Sequence, residues 1–176
     1  FNCTDSASLS VLVYPKPKVS FTTNDTDQCL NGNLFSFTNK TTIQSGTVTQ
    51  TWRFGDGNSQ ITKNASTTYG TNGTYKVSLV TISNFGCTDS ASALMIVHPM
   101  PVSSFSINKN EQCIRGNQFV FTNNTTIASG SLTHSWKFGD TGVSVVKSPS
   151  YTYNLTGGFK VFLKSTSTFG CKDSSS

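Results

Sequence analysis

The sequence predicts an all-β fold made of tandem immunoglobulin-like antiparallel β-sandwiches, with about seven short strands in each repeat. Three observations predict it. Polar and apolar residues alternate in Leu34-Phe35-Ser36-Phe37-Thr38, Thr51-Trp52-Arg53-Phe54 and Tyr75-Lys76-Val77-Ser78-Leu79-Val80, the pattern of half-buried strands rich in aromatic and β-branched residues. Asn31-Gly32-Asn33, Gly55-Asp56-Gly57-Asn58 and Thr71-Asn72-Gly73 separate these runs with turn residues that accept positive φ or close Asx turns. The pattern then recurs without insertion or deletion: Cys3, Cys87 and Cys171 are 84 residues apart, as are Cys29 and Cys113, and Trp52 and Trp136. Residues 1–92 match 85–176 at roughly half of all positions, which marks duplication of one folding unit.

Strands are expected in order near 18–23, 34–39, 49–55, 58–62, 66–69, 74–83 and 87–97, and again 84 residues later. No segment carries a helical stripe. Each repeat holds its own aromatic set, Phe21, Phe35, Phe37, Trp52, Phe54, Tyr69, Tyr75 and Phe85 in the first, enough for one small core. The chain opens on Phe1-Asn2-Cys3-Thr4-Asp5-Ser6 and closes on Phe169-Gly170-Cys171-Lys172-Asp173-Ser174, so both ends occupy the same phase of the repeat. This phase predicts that residues 1–14 are the last strand of a preceding repeat, 15–98 a first repeat and 99–176 a second with its last strand cut short, all part of a longer array. Tyr14-Pro15-Lys16-Pro17 and His98-Pro99-Met100-Pro101 form the junctions. Alternating prolines remove donors and favour extended geometry, so short, semi-rigid links are expected.

Charged residues make up only 12% of the chain, and Ser, Thr, Asn and Gly fill the polar positions, as in extracellular β-proteins. The formal charge of +5 is uneven: residues 17–98 carry five basic against four acidic side chains, and residues 101–176 seven against three. A nucleic-acid surface is not indicated, since both repeats should then share the basic excess. No apolar run is long enough to span a membrane.

Trp52-Arg53-Phe54-Gly55-Asp56-Gly57, then Tyr69, then Gly73-Thr74-Tyr75-Lys76-Val77-Ser78-Leu79, resembles the signature of the PKD (polycystic kidney disease) domain. The second repeat answers with Trp136-Lys137-Phe138-Gly139-Asp140, Tyr153 and Gly158-Phe159-Lys160-Val161-Phe162-Leu163. Arg53 and Lys137 depart from the usual acidic residue after Trp, and Thr141 from the last Gly, which predicts an altered turn in the second repeat. Cysteine-bearing repeats of this kind resemble those of large bacterial surface proteins, including gliding-motility adhesins. The resemblance implies a structural or adhesive unit of a long cell-surface protein or filament, acting as a stiff spacer or fibre. An alternative is an accessory module, spacing or carbohydrate-targeting, of a secreted hydrolase.

Among candidate sites the five cysteines come first, because cysteines at fixed positions in a low-charge chain of secreted type indicate disulfides. Pairing within repeats joins Cys29 to Cys87 and Cys113 to Cys171. A sandwich places the members of each such pair at opposite ends, well beyond the ~7 Å a disulfide tolerates. Its topology favours Cys29 with Cys171, leaving Cys3, Cys87 and Cys113 to pair with repeats outside the chain.

Asp56 and Asp140 are expected to fix a turn by accepting backbone N–H bonds rather than to catalyse. Trp52 and Trp136 alternate with Phe54 and Phe138 and are expected in the core, with Tyr69 and Tyr153 in structural roles. Asp25 and Asp27 are oxygen donors, but Lys109 and Glu111 replace them in the second repeat, so no shared metal site is expected. His98 and His134 have no histidine counterparts, and no nucleophile elbow, Cys/His dyad or phosphate loop is present. No enzyme activity and no cofactor are expected. Candidate N-glycosylation positions include Asn39, Asn72, Asn123 and Asn154, and Ser6 and Ser90 lie in Asp-Ser-Ala triplets resembling a bacterial O-glycosylation acceptor. Expected partners are neighbouring repeats, other copies laterally, and a surface polysaccharide or glycan.

Overall fold

The eight strands of the first repeat are β1 (Phe21–Thr23), β2 (Asp27–Cys29), β3 (Phe35–Asn39), β4 (Val48–Arg53), β5 (Ser59–Gln60), β6 (Ala65–Thr67), β7 (Gly73–Ser83) and β8 (Thr88–His98) in a computed structural model that describes all 176 residues. They form a three-stranded sheet, β1-β3-β6, and a five-stranded sheet, β2-β8-β7-β4-β5. Alternation determines which side chains are inside. In β3 Phe35 and Phe37 are buried while Ser36 and Thr38 face out, and in β7 Val77, Leu79, Thr81 and Ser83 point inward. Trp52 is fully buried, with Phe21 edge-on at 5.1 Å and Phe37 at 5.5 Å. Its indole N–H donates to the Thr62 carbonyl at 3.2 Å. Removing such a ring costs about 3–5 kcal/mol.

The second repeat runs β9 (Phe105–Ile107), β10 (Phe119–Asn123), β11 (Leu132–Lys137), β12 (Val143–Ser144), β13 (Ser150–Tyr151), β14 (Phe162–Ser167) and β15 (Lys172–Ser175). Its sheets are β13-β10-β9 and β12-β11-β14-β15. The register repeats as well: Trp136 faces Leu163 across β11 and β14 as Trp52 faces Leu79 across β4 and β7. Phe121, Trp136, Phe138, Tyr153 and Leu163 form the core.

Three differences separate the repeats. β2, which no alternation announced, pairs in parallel with the end of β8, Asp27 opposite Ile96 and Cys29 opposite His98, whereas residues 111–113 form no strand. β14 is six residues long against eleven in β7. The turn at Thr141 also differs. Gly57 has φ +95°, a conformation Thr141 does not adopt, yet both turns close with the same bond, Phe54 N to Asn58 O and Phe138 N to Gly142 O, each 3.1 Å. Gly55 and Gly139 are required for another reason. At φ +84° and +88°, an added Cβ would meet the backbone N and O of Lys76 at 2.9 Å and of Lys160 at 2.7 Å.

By contacts the chain forms two compact units interleaved in sequence: Phe1–Thr26 with Phe35–Thr67 and Tyr75–Met95, and Asp27–Leu34 with Thr68–Thr74 and Ile96–Ser176.

Candidate functional site

Within the second of these units, a disulfide joins Cys29 to Cys171, with Cα atoms 5.5 Å apart. Cys29 is held by a local frame that starts at Gln28, whose side chain donates to the Leu34 carbonyl at 3.0 Å and accepts the Leu34 N–H at 2.7 Å. Asn33 completes it. Its Nδ2 donates to the Leu30 and Tyr69 carbonyls at 2.7 and 2.9 Å, and its Oδ1 accepts the Tyr69 N–H at 2.7 Å. A buried asparagine satisfied in this way ties a three-residue strand to the rest of the fold. On the other side Cys171 is buried, its N–H donating to Ser167 Oγ at 3.2 Å and its carbonyl accepting the Ser167 N–H at 2.8 Å.

Around the disulfide, His98 stacks on Phe169 with ring centres 3.9 Å apart and planes within 8°. His98 Nε2 lies 2.6 Å from Asp27 Oδ1, and the His98 carbonyl accepts the Leu30 N–H at 2.9 Å. Sequence reasoning treated His98 as a linker residue without a counterpart. The available signal was Tyr14, an aromatic ring one period earlier.

The same kinds of frame recur around Cys113 and Cys87. Gln112 makes both bonds to Gln118, at 2.9 and 2.8 Å, and Asn117 makes all three of Asn33's bonds, to Ile114 and Tyr153, so the side-chain bonds that frame Cys29 recur beside Cys113. Cys87 has the cradle of Cys171: its N–H donates to Ser83 Oγ at 3.1 Å and its carbonyl accepts the Ser83 N–H at 2.9 Å. Tyr14 stacks on Phe85 at 4.2 Å and 7°, as His98 stacks on Phe169. Cys3, Cys87 and Cys113 are free thiols.

The remaining candidates fall into place by chemistry. Asp56 accepts Asn58 N–H at 2.9 Å and its side-chain amide at 2.8 Å, and Asp140 accepts Gly142 N–H at 2.7 Å and the Tyr151 hydroxyl at 2.8 Å. That last bond, with burial behind it, raises the Tyr151 pKa. Trp52 and Trp136 are wholly buried. Tyr153 donates its buried hydroxyl to the Phe138 carbonyl at 2.6 Å, and burial first, then Asp140 and Tyr151, push its pKa up to about 12. Asp89 accepts Val19 N–H at 3.0 Å and pairs with Lys16 at 2.9 Å, and these two contacts lower its pKa. Ser90, beside it on β8, is exposed, as is Ser6. Asn72 and Asn154 are exposed, whereas Asn39 and Asn123 are half-buried and accept the N–H of Thr41 and Thr125 at 2.8 and 2.9 Å. No group of three or more His, Cys, Asp or Glu gathers into a metal-holding cluster, and no helix is long and apolar enough to cross a membrane.

The family model described as PKD domain matches residues 14–97 and again residues 99–176. The chain belongs to the PKD domain family. Among solved structures similar to these PKD repeats, the PKD1 domain of Vibrio anguillarum Epp is 24% identical with a TM-score of 0.41, covering 47% of this chain and 93% of that one. The PKD1 domain of Vibrio cholerae metalloprotease PrtV is 20% identical at a TM-score of 0.41, over 48% and 98%. A three-domain immunoglobulin segment of titin, 17% identical at 0.51 over 93% and 64%, shares the fold. No curated protein matches the chain. Within a PKD repeat the Trp-x-Phe-Gly motif combines a buried indole with a glycine that no other residue replaces without strain.

Proposed function

We propose that the chain is a structural segment of a long extracellular, cell-surface protein or filament, in which PKD repeats act as a stiff spacer. The observation that carries this reading is recurrence of the joint: the Gln and Asn frame, the Ser cradle and the stacked rings return one period apart. A fold kept only for its core has no need to reproduce its loop frames and its linker contacts together. Disulfides persist in oxidising compartments, which supports a location outside the cytosol. Of the candidate acceptors, Asn72, Asn154, Ser6 and Ser90 are exposed, as a glycosylated residue must be, whereas Asn39 and Asn123 are half-buried. Electron microscopy of the native assembly tests the reading. Straight fibres of uniform width support it, and separate beads on freely bending linkers overturn it.

A further inference from the structure

The outer face of the larger sheet carries cations in both repeats. In β4 and β7 the buried Trp52, Val77 and Leu79 turn inward, so Arg53, Lys76 and Ser78 stand on the outer side. In β11 and β14 Trp136, Leu163 and Ser165 are buried in the same way, and Lys137, Phe162 and Lys164 stand outside. Lys172 of β15 lies opposite Thr166 on that side. Lys160, just ahead of β14, joins them, its Nζ 5.1 Å from the centre of the Phe162 ring. Acidic residues are scarce in these strands. β4, β5, β7 and β8 contain only Asp89, and β11, β12, β14 and β15 only Asp173. Both face the other way, accepting the N–H of Val19 at 3.0 Å and of Ser103 at 2.6 Å. Asp27, on β2 at the far edge of the first sheet, is taken up by His98, and the turn residues Asp56 and Asp140 by Asn58, Gly142 and Tyr151.

Hydroxyls stand beside the cations. Arg53 lies in register between Ser59 of β5 and Ser78 of β7, and Lys164 between Ser135 of β11 and Ser174 of β15. Both are therefore paired on either side, inside their sheets. Each group also lines an open depression. Arg53, Gly55, Asn58 and Ser59 border one of about 360 Å³, and Ser135, Lys137, Phe162, Lys164 and Ser174 one of about 310 Å³. The residue after the buried Trp thus lines a depression in each repeat.

A second, independent observation concerns charge balance. The chain's ion pairs, Lys16 with Asp89 and His98 with Asp27, use none of the six cations Arg53, Lys76, Lys137, Lys160, Lys164 and Lys172. The last four of these are also four of the seven basic residues in 101–176, so the uneven charge of the chain gathers on this face. Arg53 and Lys137 are the two residues that stand where an acidic side chain usually follows Trp, and both repeats have exchanged sign at that position. Like charges gathered on one face repel each other; they add nothing to the fold and attract an opposite charge.

We propose that this outer face binds an acidic polysaccharide, a chain of sugars carrying carboxylates. The lysine and arginine side chains pair with the carboxylates, and Ser59, Ser78, Ser135 and Ser174 exchange hydrogen bonds with sugar hydroxyls. The Phe162 ring offers an apolar surface to the flat side of a sugar. Cations separated by hydroxyls match a polymer whose charges are themselves separated by hydroxyls. A nucleic-acid duplex, with one charge per ~1.7 Å of axis, matches a denser basic surface.

Binding of this kind is held by exposed charges and depends on salt, because screening shortens from ~30 Å at 10 mM to ~8 Å at 150 mM. The proposal rests on the spacer reading only for a location outside the cytosol. Binding is measured on the chain in solution, so a fibre that bends freely overturns the spacer reading and leaves this one standing, and a chain that ignores the polymer does the reverse.

Calorimetric titration of the 176-residue chain with polygalacturonate, at about 10 and about 150 mM salt, tests it. The expected result is saturable binding at the lower salt that weakens at least about tenfold at the higher, and no binding of methyl-esterified polygalacturonate, which keeps the sugars and lacks the charge. Arg53→Asp with Lys137→Asp, which restore the usual acidic residue after Trp, weaken binding at least about tenfold. Lys76→Gln with Lys164→Gln, on outward side chains, weaken it at least about threefold. Unchanged fluorescence of the buried Trp52 and Trp136 verifies that each variant is folded. Lys40→Asp with Lys109→Asp, the same charge change as the first pair but next to β3 and β9 in the other sheets, leaves binding within about twofold. Equal losses in the two Asp pairs reduce the effect to net charge and overturn the proposal. So do a chain that binds nothing at low salt, equal binding of the esterified polymer, and tighter binding of a DNA duplex or of phosphatidylglycerol vesicles.

Discussion

Cys29→Ser isolates what the Cys29–Cys171 bond does. The bond spans 142 residues of sequence, so in the chain-entropy description its loss frees the unfolded chain by about 5 kcal/mol at 25 °C. If the first repeat stays folded while the second opens, the flexible loop shortens to the stretch after His98, and the same relation still returns about 4 kcal/mol because the dependence is logarithmic. The residual Cys171 thiol sits in an apolar, nearly inaccessible site and adds little cost of its own. A small domain has about 5–15 kcal/mol in total, so the variant should hold its second repeat only marginally. Amide hydrogen exchange read by mass spectrometry on peptides covering β11 and β14 reports this directly. At 1.4 kcal/mol per decade, protection there should fall by about a thousandfold, while peptides covering β4 change little. A fall of less than about tenfold in β11 and β14 would refute the entropic reasoning and assign the bond no constraining role.

Two further outcomes follow from single contacts. Tyr153 has its folded pKa raised to about 12 above an ordinary value near 10, so its contribution is complete below pH 10 and is lost as pH climbs through 12. Tyr153→Phe should remove that alkaline decline and cost about 1–3 kcal/mol at pH 7 by leaving the Phe138 carbonyl unpaired, both measurable by urea denaturation across pH. Gly139→Ala should destabilise the second repeat by at least about 2 kcal/mol, since the new Cβ must adopt positive φ and also displace the Lys160 backbone; thermal denaturation showing an unchanged midpoint would contradict that geometry.

Much of the fold was legible because local and long-range signals agree in it. Phe35, Phe37, Trp52 and Phe54 alternate along strands whose inward side the core then uses, and Gly55 stands where only glycine fits. β2 was not legible. Asp27-Gln28-Cys29 has no alternation and owes its strand conformation to pairing with Ile96–His98, about seventy residues away, and to the Gln28 and Asn33 side chains. Around the disulfide the cysteines announced themselves by period. His98, Phe169 and Asp27 did not, because each looks ordinary until the fold brings it beside the others.

The Cys29–Cys171 bond also decides what happens when the backbone is cut. Any single cleavage by a protease between those two residues opens a peptide bond but releases no fragment, because the two pieces remain tied through sulfur. Most of the exposed turns, at Gly46, Gly57, Gly86, Gly116, Gly130 and Gly157, fall inside that span. A chain bonded in this way stays in one covalent piece after damage at the loops that proteases reach first.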